Sequence, residues 1–218
     1  VPHKCGRSSV GGIHVIRYTT GVIMEQGNAA FDDVIMYMRE NSLSYLHQFN
    51  FSACELWLCN EICKILNFDV ENSVSSLRKE FVYNEDNKRD ISIYNETSEL
   101  KLLEHIEVKV VYPTNKLTHK INWLDSLKNK LEGSSNVSSC GLNGWVFYVW
   151  TSCDKYKKLY PDPLTFFQRD AYDISQKLGS EYVSVSEFQC LDIIDDNFLW
   201  RGEEKRIVVK GMAFNKVV

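Results

Sequence analysis

No run of apolar residues in this 218-residue chain approaches the roughly 20 that a membrane-crossing helix needs. Proline (4) and glycine (11) are too scarce for a collagen-like chain, and neither an internal repeat nor a coiled-coil pattern is present. A basic excess is missing as well. The 25 Lys+Arg face 29 Asp+Glu, a net charge of −4, so any phosphate-binding surface has to be local rather than global. There is no phosphate-binding loop, because Ser8-Ser9-Val10-Gly11-Gly12 lacks the Lys-Ser/Thr that would follow it. A serine-hydrolase elbow is absent too. No secretory signal is expected, since no apolar run follows Val1-Pro2-His3-Lys4-Cys5, and the missing initiator Met reads as trimming.

What is present is globular composition: 44% hydrophobic and 25% charged residues, in a chain long enough to bury a core without staples. Seven cysteines (Cys5, Cys54, Cys59, Cys63, Cys140, Cys153 and Cys190) form no dense framework. They read as buried free thiols in a reducing compartment. A secreted chain is the competing reading, with glycosylation acceptors at Asn50, Asn95 and Asn136. Cys54, Cys59 and Cys63 are the sole cysteine cluster, but without a fourth ligand nearby they read as core rather than zinc ligands. Cys140 before Gly141 sits in a nucleophile-like context, yet nothing places a histidine beside it. Asp32-Asp33 and Asp195-Asp196 read as helix-start or solvated charges. No catalytic residue, metal or cofactor is therefore assigned, and an enzyme is the least favoured class.

Hydrophobic periodicity divides the chain into residues 1–49, 50–132, a small polar linker at 133–144, and 145–218. In the first segment, Ile13, Val15, Tyr18, Val22 and Ile23 suggest a β-hairpin. Asn28 then caps a helix bearing Phe31, Val34, Ile35 and Met38. In the second, Leu56-Trp57-Leu58 reads as extended, with a short helix from Asn60 to about Asn67. Asn84–Asp90 is a hairpin tip, Ile91–Tyr94 a strand, Leu100–Ile106 a short helix and Val108–Val111 a strand stopped by Pro113. Trp123, Leu124, Leu127 and Leu131 mark an amphipathic helix. In the third, Trp145–Trp150 is a strand, Asp162 caps a helix with Pro163 at its first position, Val183–Phe188 alternate, and Ile207–Val209 form a last strand. The irregular alternation predicts an α+β fold: a mixed or antiparallel sheet with several short helices.

Two basic clusters carry neighbouring aromatics: Lys155-Tyr156-Lys157-Lys158, and Arg201 with Lys205-Arg206 near Trp200. Cations interleaved with rings suit nucleic acid, and an ordinary charged loop is the plainer alternative.

The run Leu56-Trp57-Leu58-Cys59-Asn60-Glu61-Ile62-Cys63-Lys64-Ile65-Leu66-Asn67-Phe68 is followed by a short helix entered at Asn72 and by a charged hairpin. Asn95-Glu96-Thr97-Ser98-Glu99-Leu100-Lys101-Leu102 and Lys120-Ile121-Asn122-Trp123 come next. This stretch, residues 51–132, resembles the Bro-N domain of baculovirus, insect-virus and phage proteins, with Asn67 and Ser98 where the family pattern has Gly. The resemblance implies a non-enzymatic viral DNA-binding protein whose phosphate contacts fall to Arg78, Lys79, Lys88, Arg89, Lys116 and Lys120, with Lys88 and Arg89 at the hairpin tip entering a groove. Its location would be the host cytoplasm or nucleus, or the virion.

Two other classes compete. The acidic balance, the 12% aromatic content and the lack of catalytic residues equally fit a viral structural or assembly protein, a capsid or occlusion-body component whose partner is itself in a homo-oligomer or lattice. The third is a secreted virus-encoded binding protein.

Overall fold

The computed structural model describes residues 28–49, 54–69, 79–84, 90–95, 99–114, 125, 127, 129–130, 141–169, 182–184 and 191–216. They form an α+β structure around one mixed seven-stranded sheet. The helices are α1 (Ala29–Glu40), α2 (Ser42–Tyr45), α3 (Glu55–Lys64, continued by a π-helical turn Ile65–Asp69), α4 (Asp154–Leu159) and α5 (163–169). The strands are β1 (Glu80–Asn84), β2 (Ile91–Asn95), β3 (Lys101–Val111), β4 (Gly141–Thr151), β5 (Tyr182–Ser184), β6 (Leu191–Trp200) and β7 (Glu203–Lys216). The order across the sheet is β1-β2-β3-β4-β7. Strands β5 and β6 both pair with β7. Among the described residues only the β3–β4 pair is parallel, with Val108 beside Trp145 and Val111 beside Tyr148.

Strand alternation sorts the core into two layers. Trp145, Phe147 and Val149 of β4 join Ile207, Val209 and Ala213 of β7 and Ile106, Val108 and Val110 of β3 on one face, beneath α1 and α3. Val146, Tyr148 and Trp150, with Val208, Met212 and Phe214, face the other way, onto Leu127, Tyr160, Phe166 and Phe167. The central strands are thus apolar on both faces, as a doubly covered sheet requires. On the first face Phe31 of α1 meets Trp145 edge-on at 5.2 Å. Its full burial contributes about 1.5–3 kcal/mol. The close approach of α1 depends on Gly211 of β7, where a Cβ would lie 2.8 Å from Ile35 Cδ1 and 3.1 Å from Phe31 Cζ.

Asn28 caps α1 as the sequence predicts: its Oδ1 accepts from the Phe31 N–H at 2.9 Å. Its Nδ2 donates to Glu104 of β3 at 2.8 Å, and Asn143 of β4 donates to the same carboxylate oxygen. One capping side chain therefore also docks α1 on the two parallel strands. Asp162 caps α5, accepting from the Thr165 N–H at 2.9 Å, and that bond lowers its carboxyl pKa.

Two local expectations are corrected. Leu56-Trp57-Leu58 is the first turn of α3 rather than an extended segment. Leu56 is exposed and Leu58 fully buried, and Leu58, Cys59, Ile62 and Cys63 make one helical stripe. A short apolar run has no periodicity of its own to separate strand from helix. Leu100–Ile106 lies largely in strand β3 rather than a helix, because β3 is held by β2 on one side and β4 on the other. Tertiary pairing overrides the local spacing. Residues 141–144 of the polar stretch belong to β4, and the β3–β4 pairing joins strands from both sides of it into one sheet. The first-segment hairpin lies outside the described residues. Among the described residues, no helix is long and apolar enough to cross a membrane.

Candidate nucleic-acid interface

Strands β1 and β2 form an antiparallel ribbon at the sheet margin, Asn84 opposite Ile91 and Glu80 opposite Asn95. Asn84 and Ile91 pair at that end of the ribbon, and residues 85–89, where the sequence predicts a hairpin tip, lie outside the described residues. Alternation turns Val82 and Ile93 into the core and Phe81, Tyr83 and Tyr94 onto the opposite face. Phe81 is 40% and Tyr83 47% exposed, Tyr94 is half-buried, and the two tyrosine rings meet edge-to-face at 5.6 Å. Phe81 lies directly across from Tyr94 in register. The result is a contiguous aromatic patch on a two-stranded ribbon.

The free edge of that ribbon is plugged. The side-chain amide of Asn67, in the π-helical turn after α3, donates to the Val82 carbonyl at 2.8 Å and accepts from the Val82 N–H at 2.9 Å. It thus imitates the backbone of one more strand. Asn84 Nδ2 donates to Asn60 Oδ1 of α3 at 2.6 Å, fastening the same edge a second time. A margin satisfied in this way is a poor template for another strand.

Of the cations predicted to touch phosphate, Lys79 is exposed at the entry to β1, in the left-handed region at φ 53°. Arg78, Lys88, Arg89, Lys116 and Lys120 lie outside the described residues. Lys101, at the start of β3 opposite Asn95, is exposed at the same end of the ribbon as Lys79. Among the described residues neither lysine has an ion-pair partner. The two basic clusters of the sequence adjoin in the structure, Ser152 before α4 bonding the Arg206 backbone N–H and carbonyl, but they differ in pairing. Lys155, Lys157 and Lys158 are exposed on α4 and likewise unpaired there. In the other cluster, Arg206 grips Asp195 through two 2.7 Å bonds and Lys205 pairs with Glu203 at 2.6 Å. Arg201 covers the Trp200 ring at 5.7 Å, at the two-residue turn whose φ values of 51° and 80° fall on Arg201 and Gly202.

A buried polar group lies on the second face, beside the aromatic patch. Ser92 Oγ and His105 Nδ1 are 2.8 Å apart, with the two residues 0% and 2% exposed. Glu107, two residues further along β3, is 1% exposed and pairs with Lys130 at 2.9 Å. Asp90 lies 3.6 Å from the same ammonium and accepts from the Val108 N–H. Burial pushes the Glu107 carboxyl up, and the Lys130 ammonium draws it part of the way back. Burial alone would lower the Lys130 pKa, but Glu107 and Asp90 raise it on balance. Ser92, His105 and Glu107 are closed to any substrate, whereas the Lys130 side chain is half exposed. These groups fasten the helical stretch through Leu127 and Lys130 onto the sheet.

The cysteines of α3 are closed too. Cys54 Sγ is 3.0 Å from Tyr112 Oη, and burial pushes its thiol up. Cys63 is pushed up to about 12 by burial, and Cys59 further in the same direction. Cys54, Cys59, Cys63 and Cys153 are free thiols. Among the described residues no three His, Cys, Asp or Glu side chains are grouped as metal ligands would be.

Comparison with protein-family models, curated proteins and solved structures gives no match. Sequence reasoning missed the aromatic patch. The signal was available: a hairpin tip at Asn84–Asp90 demands a strand before it, and Phe81-Val82-Tyr83 has the aromatic and β-branched make-up of one.

Proposed function

We propose that this is a nucleic-acid-binding protein without catalytic chemistry, of the viral kind the Bro-N resemblance implies. The observation that carries the reading is the distribution of unpaired cations. A chain of net charge −4 nevertheless exposes Lys79 at the entry to β1 and Lys101 at the start of β3, at one end of the sheet margin, and Lys155, Lys157 and Lys158 together on α4, all without ion-pair partners among the described residues. Other lysines and arginines are held by carboxylates: Lys109 by Glu55, Lys130 by Glu107, Lys210 by Asp192 and Arg206 by Asp195. Lys88 and Arg89 belong to the segment joining the ribbon strands. Grouped, unneutralised cations are what a polyanion needs.

Self-assembly, the alternative, is opposed at β1 by the Asn67 plug, since a second copy adding there would first have to displace two hydrogen bonds.

Fluorescence anisotropy with labelled mixed-sequence DNA across a salt series tests the reading. Affinity should fall log-linearly with salt. Replacing Lys155, Lys157 and Lys158 together by Ala should reduce the slope by about 2–3, at roughly 0.7–0.9 per phosphate contact. The Lys88→Ala, Arg89→Ala double variant should lower it further. No binding at low salt would refute the proposal, and concentration-dependent sedimentation of the same sample would then support assembly.

A further inference from the structure

Resting on the nucleic-acid reading, we propose that the outer face of the β1–β2 ribbon is a stacking platform for a single, unpaired strand. Phe81 and Tyr83 are two residues apart on one strand, so their side chains leave the sheet about 6.8 Å apart. That is about twice the 3.4 Å rise between stacked bases along a duplex strand. Consecutive bases cannot lie on both rings while stacked on each other, so the strand that fits has had its bases parted. A duplex hides its base faces within the stack and offers this surface only phosphates.

Tyr94 completes the platform from the neighbouring strand, opposite Phe81 and edge-on to Tyr83. Its edge-to-face contact props the Tyr83 ring against the ribbon, which reduces the ordering that a bound base must impose. The occupant follows from the surroundings. Exposed Lys79 lies at one end of the aromatic row, and Lys101, opposite Asn95 and so on the other face by alternation, is exposed at the same end; neither has an ion-pair partner among the described residues. Rings beside cations suit an anionic chain with flat apolar bases. An extended peptide gains nothing comparable, because Asn67 already holds the Val82 backbone groups it would pair with.

The test compares labelled oligothymidylate with a duplex of equal length, by anisotropy, on the full chain. The single strand is expected to bind at least tenfold tighter at physiological salt. Tyr83→Ala and Phe81→Ala should each weaken single-strand binding about 5- to 150-fold, the range for losing one base–aromatic stack, and leave duplex binding within twofold. Tyr83→Phe, which keeps the ring, should restore it. Lys79→Ala should lower the salt slope without changing the single-strand preference. Equal binding of strand and duplex, or alanine variants that bind oligothymidylate as the parent does, would overturn the platform while leaving the nucleic-acid reading intact. Absence of binding to either probe at low salt would overturn both. Circular dichroism of each variant establishes that it is folded, and the parent's preference for oligothymidylate over duplex carries the test if an alanine variant is not.

Discussion

The Asn67 side chain allows a quantitative test of how the sheet margin is kept closed. Replacing it by Ala removes two hydrogen bonds to one residue of an edge strand, at 2.8 and 2.9 Å. At about 0.5–1.5 kcal/mol each, the expected loss is about 2 kcal/mol. For a chain of this size that lowers the melting temperature by about 4–8 °C. Asn67→Asp separates the two bonds. A carboxylate still accepts from the Val82 N–H but points its second oxygen at the Val82 carbonyl, so it should be at least as damaging as Ala at neutral pH. Below about pH 4 the protonated acid can donate to that carbonyl, and part of the loss should return. Urea unfolding at pH 7 and pH 3.5 measures both effects. The vacated edge should also self-associate, seen as added concentration dependence in sedimentation velocity. If Asn67→Ala unfolds at the parent's urea midpoint and sediments as the parent does, the plug neither stabilises β1 nor protects its edge.

Three further outcomes are expected. Gly211→Ala should cost about 1–3 kcal/mol in urea unfolding, because the added methyl would lie 2.8 Å from Ile35 Cδ1 and 3.1 Å from Phe31 Cζ in a packed layer; no loss would mean that the ends of these side chains turn aside at no cost. The raised Glu107 pKa means that the folded state holds this proton more tightly than the unfolded one. Its contribution is therefore full below the ordinary glutamate value of 4.5 and is lost as pH rises through the elevated one; stability of the parent relative to Glu107→Gln should decline over that window and level off above it. Alkylation of the folded protein followed by peptide mass mapping should modify half-exposed Cys153 and spare Cys59 and Cys63 until denaturant is added.

How far the sequence could be read depended on where the deciding information lay. Asn28, Asp162 and Pro163 are local signals with local causes, and the helices begin where they direct. Trp145–Trp150 and Ile207–Val209 are too densely apolar and β-branched or aromatic for anything but central strands. The α3 entry and the start of β3 were misread because Leu56-Trp57-Leu58 and Leu100–Ile106 are apolar without clean periodicity, and only their neighbours in space fix their state. The candidate surface was hidden for a different reason. Phe81, Tyr83 and Tyr94 look like core residues one at a time; their exposure depends on a face of the β1–β2 margin that is left open at those side chains. Likewise, nothing local distinguishes Lys155, Lys157 and Lys158, which stay free, from Lys205 and Arg206, which are held by Glu203 and Asp195.

The pairing of β3 with β4 sets an order on synthesis. β1, β2 and β3 leave the ribosome as a three-stranded meander whose inner edge has no partner until residues 141–151 are made, and β4 then waits for 203–216. The two strands at the heart of the finished sheet are thus made after the meander, and β7 bridges both β4 and β6. A nascent chain stalled before residue 203 carries Trp145, Phe147 and Tyr148 on a strand open along one side. Exposed apolar surface on an unpaired edge is what makes a partly made chain prone to aggregate.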